Sequence, residues 1–142
     1  MVISSKGRYA LRVMVDLAEH GGDGYVSMRD VARRQELSDK YAGQVMSLLS
    51  RAGLVSGVTG KGGGYRLTRK PEEYPLGEIL RLTEGSLAPV ACLDGGANSC
   101  PRAGKCQTLP MWEKLDDLIN GYLDSVSLAD LLHTSPENKN EF

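Results

Sequence analysis

Histidine is scarce in this chain of 142 residues: only His20 and His133 carry an imidazole, far apart and both outside the stretch that holds the cysteines. No HExxH pair, no phosphate-binding loop running into a helix and no nucleophile beside a base motif occurs, so an enzyme is not expected. No apolar run is long enough to span a bilayer, and Lys6, Arg8 and Arg12 interrupt the N-terminus before a signal-peptide core could form. A cytoplasmic protein without a membrane partner is expected. Internal repeats and low-complexity tracts are absent as well. Cysteines number three, all between residues 92 and 106. In a reducing compartment such an odd, clustered set suits metal binding or redox sensing better than a disulfide framework.

What is present is ordinary in bulk and uneven in distribution. A hydrophobic fraction of 41% and a charged fraction of 25% fit a soluble globular protein, and the length suits one domain with an appended element. The net charge of -1 hides a split. Residues 1–70 carry twelve Lys and Arg against six Asp and Glu, whereas residues 71–142 carry five against twelve. A basic half suggests a polyanionic partner, although a solvated basic face would give the same count.

Ser4 opens a helical stretch, SSKGRYALRVMVDLAEH, with Leu11, Met14, Val15 and Ala18 at helical spacing, and Gly21, Gly22 and Gly24 end it. Ser27 caps a short second helix, MRDVARRQ, with Met28, Val31 and Ala32 as its apolar stripe. Its Arg29, Arg33 and Arg34 point elsewhere, as phosphate clamps or as a solvated face. After a turn at Glu36 and Leu37, Ser38 caps a third helix with Tyr41, Val45, Leu48 and Leu49 inward, stopped by Gly53. Short helix, turn and polar-faced second helix are the order of a helix-turn-helix, whose second helix enters the major groove through its N-terminal residues. Ser38, Asp39, Lys40, Gly43 and Gln44 form the exposed set. The Gln44 amide can pair bidentately with adenine.

Residues 54–58 and 64–68 alternate like two strands, and the intervening TGKGGG reads as a hairpin tip, that is, a wing. Lys61, among glycines, can approach a phosphate or a minor groove unobstructed. Residues 1–70 are therefore predicted to be a winged helix-turn-helix DNA-binding domain. Residues 71–91 follow as a linker and a fourth helix with Leu76, Ile79, Leu80 and Leu82 inward. Beyond the cysteines, Leu109, Trp112, Leu115, Leu118, Ile119, Tyr122 and Leu123 recur at three and four residues. The N-terminal unit offers little surface to cover that stripe, so residues 107–126 are predicted to pair with a second copy, with Trp112 in the interface core. Ser127 starts a last short helix, which closes the segment 107–133, and 134–142 is a polar tail expected to be disordered. The fold class is mainly α with a small β-wing: a winged helix-turn-helix plus a long C-terminal dimerisation helix.

The stretch from Cys92 to Cys106 has the spacing C-x7-C-x5-C among glycines and small residues, a backbone able to fold around one metal centre. Three thiols are one short of a complete cluster shell. An iron–sulfur cluster, a zinc site, a cluster-free thiol switch and cysteines without a sensing role are the readings that remain open; Asp94, Gln107, a partner residue or a small molecule could serve as fourth ligand.

From SSKGRYAL through LSDKYAGQV, RAGLVSGVTGKGGGYRL, LGEILRLTEG and the cysteines to MWEKLDDLINGYL and SLADL, nearly all of residues 1–133 resembles the IscR-type winged-helix transcriptional regulators, the IscR-, NsrR-, RirA- and CymR-like proteins. The resemblance implies a homodimer on palindromic sites in double-stranded promoter DNA, with the long C-terminal helix at the dimer interface. It makes Cys92, Cys100 and Cys106 the ligands of an iron–sulfur cluster, 2Fe–2S in preference to 4Fe–4S, in a sensor loop spanning 92–106. Seven residues separate the first two cysteines where the family usually has five. The two fourth-ligand positions of the family hold Leu109 and Arg8. Ser4, Lys6, Arg8, Ser38, Lys40, Tyr41, Gln44, Thr59 and Lys61 form the expected DNA-binding set, with Thr59 standing where the wing commonly carries an arginine and Gly43 where the recognition helix often carries a glutamate. Other proteins of iron–sulfur or cysteine metabolism are further partners the resemblance implies.

Overall fold

Each helix of the N-terminal unit begins where a serine hydroxyl accepts one of the backbone N–H groups that a helix start leaves without a partner. In the computed structural model, which describes residues 2–94 and 100–137, Ser4 caps α1 (Ser5–His20), Ser27 caps α2 (Met28–Gln35) and Ser38 caps α3 (Asp39–Arg51). Their side chains accept from Gly7, Asp30 and Tyr41 at 3.3, 3.1 and 3.1 Å. The chain continues through β1 (Val55–Val58), β2 (Gly64–Leu67), α4 (Leu76–Glu84), α5 (Leu109–Ser125) and α6 (Leu128–Leu132). The fold is a winged helix with a long helix beyond it, as predicted. Residues 95–99 of the cysteine loop and 138–142 of the expected disordered tail lie outside the described residues. Among the described residues, no helix is long and apolar enough to cross a membrane.

The core-facing stripe of α1 is centred differently from the prediction. Ala10, Val13, Met14 and Leu17 are buried, whereas Leu11, Val15 and Ala18 pack at its margin. Asp16 is also buried, only 1% exposed. A lone buried carboxylate would be costly, so Asp16 is tied down from α2: Arg34 donates to both its oxygens at 3.0 and 2.7 Å and Gln35 donates at 3.0 Å. Arg12 of α1 in turn donates to the Gln35 side chain at 3.1 Å and to the Gln35 carbonyl. This network fixes α2 across α1 and corrects one prediction, since Arg34 is bound to Asp16 rather than presented with Arg29 and Arg33. Glu36, at φ 57°, makes the left-handed turn into α3.

The wing strands pair antiparallel with Val55 opposite Leu67 and Val58 opposite Gly64. A third segment joins them. Val26 and Tyr65 exchange backbone hydrogen bonds at 2.8 Å each, so the tip-side half of β2 is stitched to the residue just ahead of the α2 cap. Gly64 lies so close to the Val26 carbonyl that a Cβ would collide with it. Tyr74, in the stretch read as linker, is fully buried. Its hydroxyl donates to the Leu54 carbonyl at 2.8 Å and accepts from the Thr68 and Arg69 N–H groups at 2.9 Å, closing the base of the wing.

Leu76, Ile79 and Leu80 bury one face of α4, which packs on α1. α6 returns to the same body: Leu76 N–H donates to Val126, Leu128 N–H donates to Tyr74, and Leu128 is fully buried. Between these anchors α5 is held to α4 through Arg81, which donates to Asn120 at 3.0 Å and to Asp124 at 2.6 Å. Of its seventeen residues only Leu109 is buried, while Met111, Leu115, Leu118 and Tyr122 are exposed.

Candidate nucleic-acid interface and cysteine segment

Ser38, by capping α3, sets the start of the helix predicted to read bases. Lys40 and Gln44 are exposed on it and Tyr41 is half-buried. Tyr41 takes its place from α1: the Tyr9 ring meets it edge-on, centroids 5.3 Å apart and planes at 90°, and the Arg12 guanidinium lies 5.2 Å from the Tyr9 centroid. Gly43 has only Met28 nearby, at 3.6 Å from a would-be Cβ, so a side chain there would fit.

Lys6, Tyr41, Gln44, Val45, Leu48 and Arg51 line one cleft of about 180 Å³ between α1 and α3. The structure thus brings three predicted residues, Lys6, Tyr41 and Gln44, to one place. Arg51 was absent from the predicted set, although it follows Gln44 by seven residues and so shares its helix face. Ser4 is turned to another task, donating its backbone N–H and hydroxyl to Glu84 of α4 at 3.1 and 2.6 Å. Arg8 is exposed and donates to Ser5 at 3.1 Å. Thr59 and Lys61 are exposed at the wing tip.

The basic residues of the first half divide into two groups. Arg34 is paired with Asp16 and Arg69 makes a two-pronged bond to Glu78 at 2.8 and 2.9 Å, while Arg33 meets Asp30 at 3.2 Å. Burial opposes ionisation of Asp16, but the hydrogen bonds from Arg34 and Gln35 and the Arg34 charge outweigh it and hold the carboxyl below its ordinary value. The Arg69 hydrogen bonds and charge likewise hold Glu78 down against partial desolvation. The charged groups of Lys6, Arg8, Arg12, Arg29, Lys40, Arg51, Lys61, Arg66 and Lys70 have no carboxylate within 4.0 Å among the described residues. Those are the cations available to a polyanion.

Cys92, Cys100 and Cys106 are free thiols, each half-buried. Cys92 sits in a single 3-10 turn, Ala91–Leu93, and Cys106 lies just ahead of α5. The Thr108 hydroxyl, 3.2 Å from the Cys106 sulfur, and the N–H groups of Thr108 and Leu109 lower that thiol's pKa against slight desolvation, with help from Arg102. Among the described residues, no three His, Cys, Asp or Glu side chains gather as a metal site. Leu109 is buried apolar and Arg8 is cationic, so neither can act as a donor to iron. Asp94 and Gln107 are exposed. Beside Cys92, a groove of about 520 Å³ between the end of α4 and α5 is lined by Arg81, Glu84, Leu93, Asp94, Asp116 and Asn120 among others.

Residues 3–134 match the family model described as Rrf2, iron-dependent transcriptional regulator. The HTH-type transcriptional regulator IscR of Aliivibrio salmonicida is 39% identical over 132 residues, which span 93% of this chain and 77% of that protein. Protein rrf2 of Nitratidesulfovibrio vulgaris is 35% identical, over 93% and 87% of the two chains. Among solved structures, CymR, described as the global cysteine regulator of B. subtilis, superposes with a TM-score of 0.77 at 35% identity, covering 95% of this chain and 99% of its own. IscR of T. potens gives 0.74 at 39% identity, with 93% and 86% covered.

Proposed function

The chain belongs to the Rrf2 family of helix-turn-helix transcriptional regulators, which are not enzymes, and from that premise we propose how it works: a cytoplasmic homodimer that binds promoter DNA and reports on iron–sulfur or thiol status through Cys92, Cys100 and Cys106. The observation that carries the DNA-binding part is the cleft in which Gln44 and Tyr41 of α3 stand beside Lys6 of α1, with cations left free of carboxylates. Gln44 reads a base edge in the major groove, Lys40 and Lys6 meet phosphates, and the wing lays Thr59 and Lys61 along the adjacent backbone. Two copies joined through the exposed face of α5 present two such surfaces to a palindrome.

Three free thiols close to the α4–α5 junction have the donor chemistry of an iron–sulfur centre. In this reading Cys92, Cys100 and Cys106 hold it, 2Fe–2S in preference to 4Fe–4S, and a donor other than Leu109 or Arg8 completes the shell. When bound, the group supplies a redox-active, iron-dependent cross-link. The chain's own part is to transmit the resulting order of the segment through α4 and α5 to the DNA-binding unit. A cluster-free thiol- or zinc-responsive regulator is the second reading. It is favoured by the likeness to a cysteine regulator.

The two readings separate on anaerobic purification. The cluster reading expects visible charge-transfer absorbance with matching iron and sulfide, lost in Cys92→Ala; a colourless, iron-free preparation made without oxygen refutes it. For DNA, Gln44→Ala is expected to cost about 1–3 kcal/mol at one base pair of a selected duplex. Equal losses on selected and random duplex would remove its base-reading role, and no duplex binding at any salt would leave a metal- or cluster-carrying protein without gene control.

A further inference from the structure

We propose that Arg51, with Lys6, clamps one backbone phosphate of duplex DNA over the cleft between α1 and α3, extending the contact surface two helical turns beyond Gln44; the proposal rests on the DNA-binding reading above. Tyr41, Gln44, Leu48 and Arg51 follow one another at three, four and three residues, so they form one stripe along α3, and Lys6 faces it from the first turn of α1. Val45 and Leu48 make the floor between the two cations, Val45 buried and Leu48 half-buried. No carboxylate lines the cleft.

The chemistry of that lining selects a small anion. Arg51 is exposed, and among the described residues its side chain makes one hydrogen bond, a long one from Nε to the Ser47 carbonyl at 3.4 Å. That bond lays the guanidinium along the helix and leaves its terminal N–H groups unengaged, the pair suited to grip two oxygens of one phosphate. Arg34 and Arg69 differ: Arg34 is closed on Asp16 through Nε and one terminal nitrogen, and Arg69 on Glu78 through both terminal nitrogens. The cleft volume of about 180 Å³ falls below the range of about 300–1,000 Å³ in which small molecules are usually held. A phosphodiester passing over the rim requires no deeper cavity. Its polymer already lies against Gln44 on the same stripe.

The full chain, titrated with a fluorescent 30-base-pair mixed-sequence duplex over a series of salt concentrations, tests the clamp. Arg51→Gln and Lys6→Gln should each weaken binding and reduce the magnitude of the log–log salt slope by roughly one, whereas Arg51→Lys should keep the slope. The loss should be the same on a selected duplex, because a phosphate contact carries no sequence information. Thermal melts of the variants matching wild type assign the change to the surface rather than to folding. An unchanged slope for Arg51→Gln, with Lys61→Gln still lowering it, overturns the clamp and leaves DNA binding standing. Wild-type protein that binds no duplex at any salt overturns both.

Discussion

The two longest helices are built alike and finished differently. α1 has sixteen residues, of which Gly7, Ala10, Val13, Met14, Asp16 and Leu17 are buried; α5 has seventeen, of which Leu109 alone is buried. Both carry apolar side chains at helical spacing. The stripe of α1 is covered by α2, α3, α4 and α6 of its own chain. The stripe of α5 leaves Leu118 at 57% and Tyr122 at 50% exposure, with Met111 and Leu115 beside them. Their tethers differ in the same sense, since Asp16 meets Arg34 inside the protein whereas Asp124 meets Arg81 with both partners well exposed. An apolar stripe that its own chain leaves uncovered is a surface suited to a second molecule, and among the described residues α5 is where such exposure is concentrated.

Charging the uncovered stripe should have the largest effect. Leu118→Asp is expected to convert a dimer into a monomer in sedimentation while leaving the melting of the winged unit nearly unchanged. A dimer that survives it would place the interface elsewhere. Next, Arg34→Ala should cost about 3 kcal/mol in urea unfolding, the lower end for breaking a buried pair, because the partly exposed Arg34 side leaves water a path to Asp16. The same pair gives a pH signature. Asp16 titrates below its ordinary value of 3.8 in the native protein, so its stabilisation is complete above that value and disappears as pH falls through the lower native one. The stability gap between wild type and Arg34→Ala should therefore be constant near neutrality and narrow in acid; a gap indifferent to pH would detach it from the Asp16 charge. Smallest of all, Asp124→Ala should change stability by less than about 1 kcal/mol, as for other exposed pairs. A loss as large as that of Arg34→Ala would erase the contrast between the two tethers.

The outline of the fold was legible because its signals are local. Ser4, Ser27 and Ser38 announce their helices within four residues, and the glycine tip between alternating segments announces the wing. What escaped depends on residues far apart in the chain. The buried face of α1 includes Asp16, a residue type ordinarily assigned to solvent, and its partner Arg34 lies eighteen residues away. Tyr74 looked like part of a linker because the hydrogen bonds of its hydroxyl reach back to Leu54, Thr68 and Arg69. The Val26–Tyr65 bridge joins single residues and has no periodicity to detect. At the candidate interface, Gln44 was identifiable by its amide and Lys6 and Tyr41 by the family resemblance, but only the packing of α1 on α3 puts them in one cleft and adds Arg51. The cysteines were plain in number and position, whereas the arrangement of their sulfurs depends on loop geometry that spacing does not encode.

The wing has one further consequence, for how such a protein changes its target. Its second strand is pinned beside the tip at Val26 and Tyr65, and Gly60 and Gly62 hold the tip at φ 92° and 78°, values that side-chain-bearing residues rarely adopt. Thr59 and Lys61 are left as the positions in the turn that can vary without disturbing the backbone. On the DNA-binding reading proposed above, what the wing prefers is open to retuning through those two codons while the scaffold stays fixed.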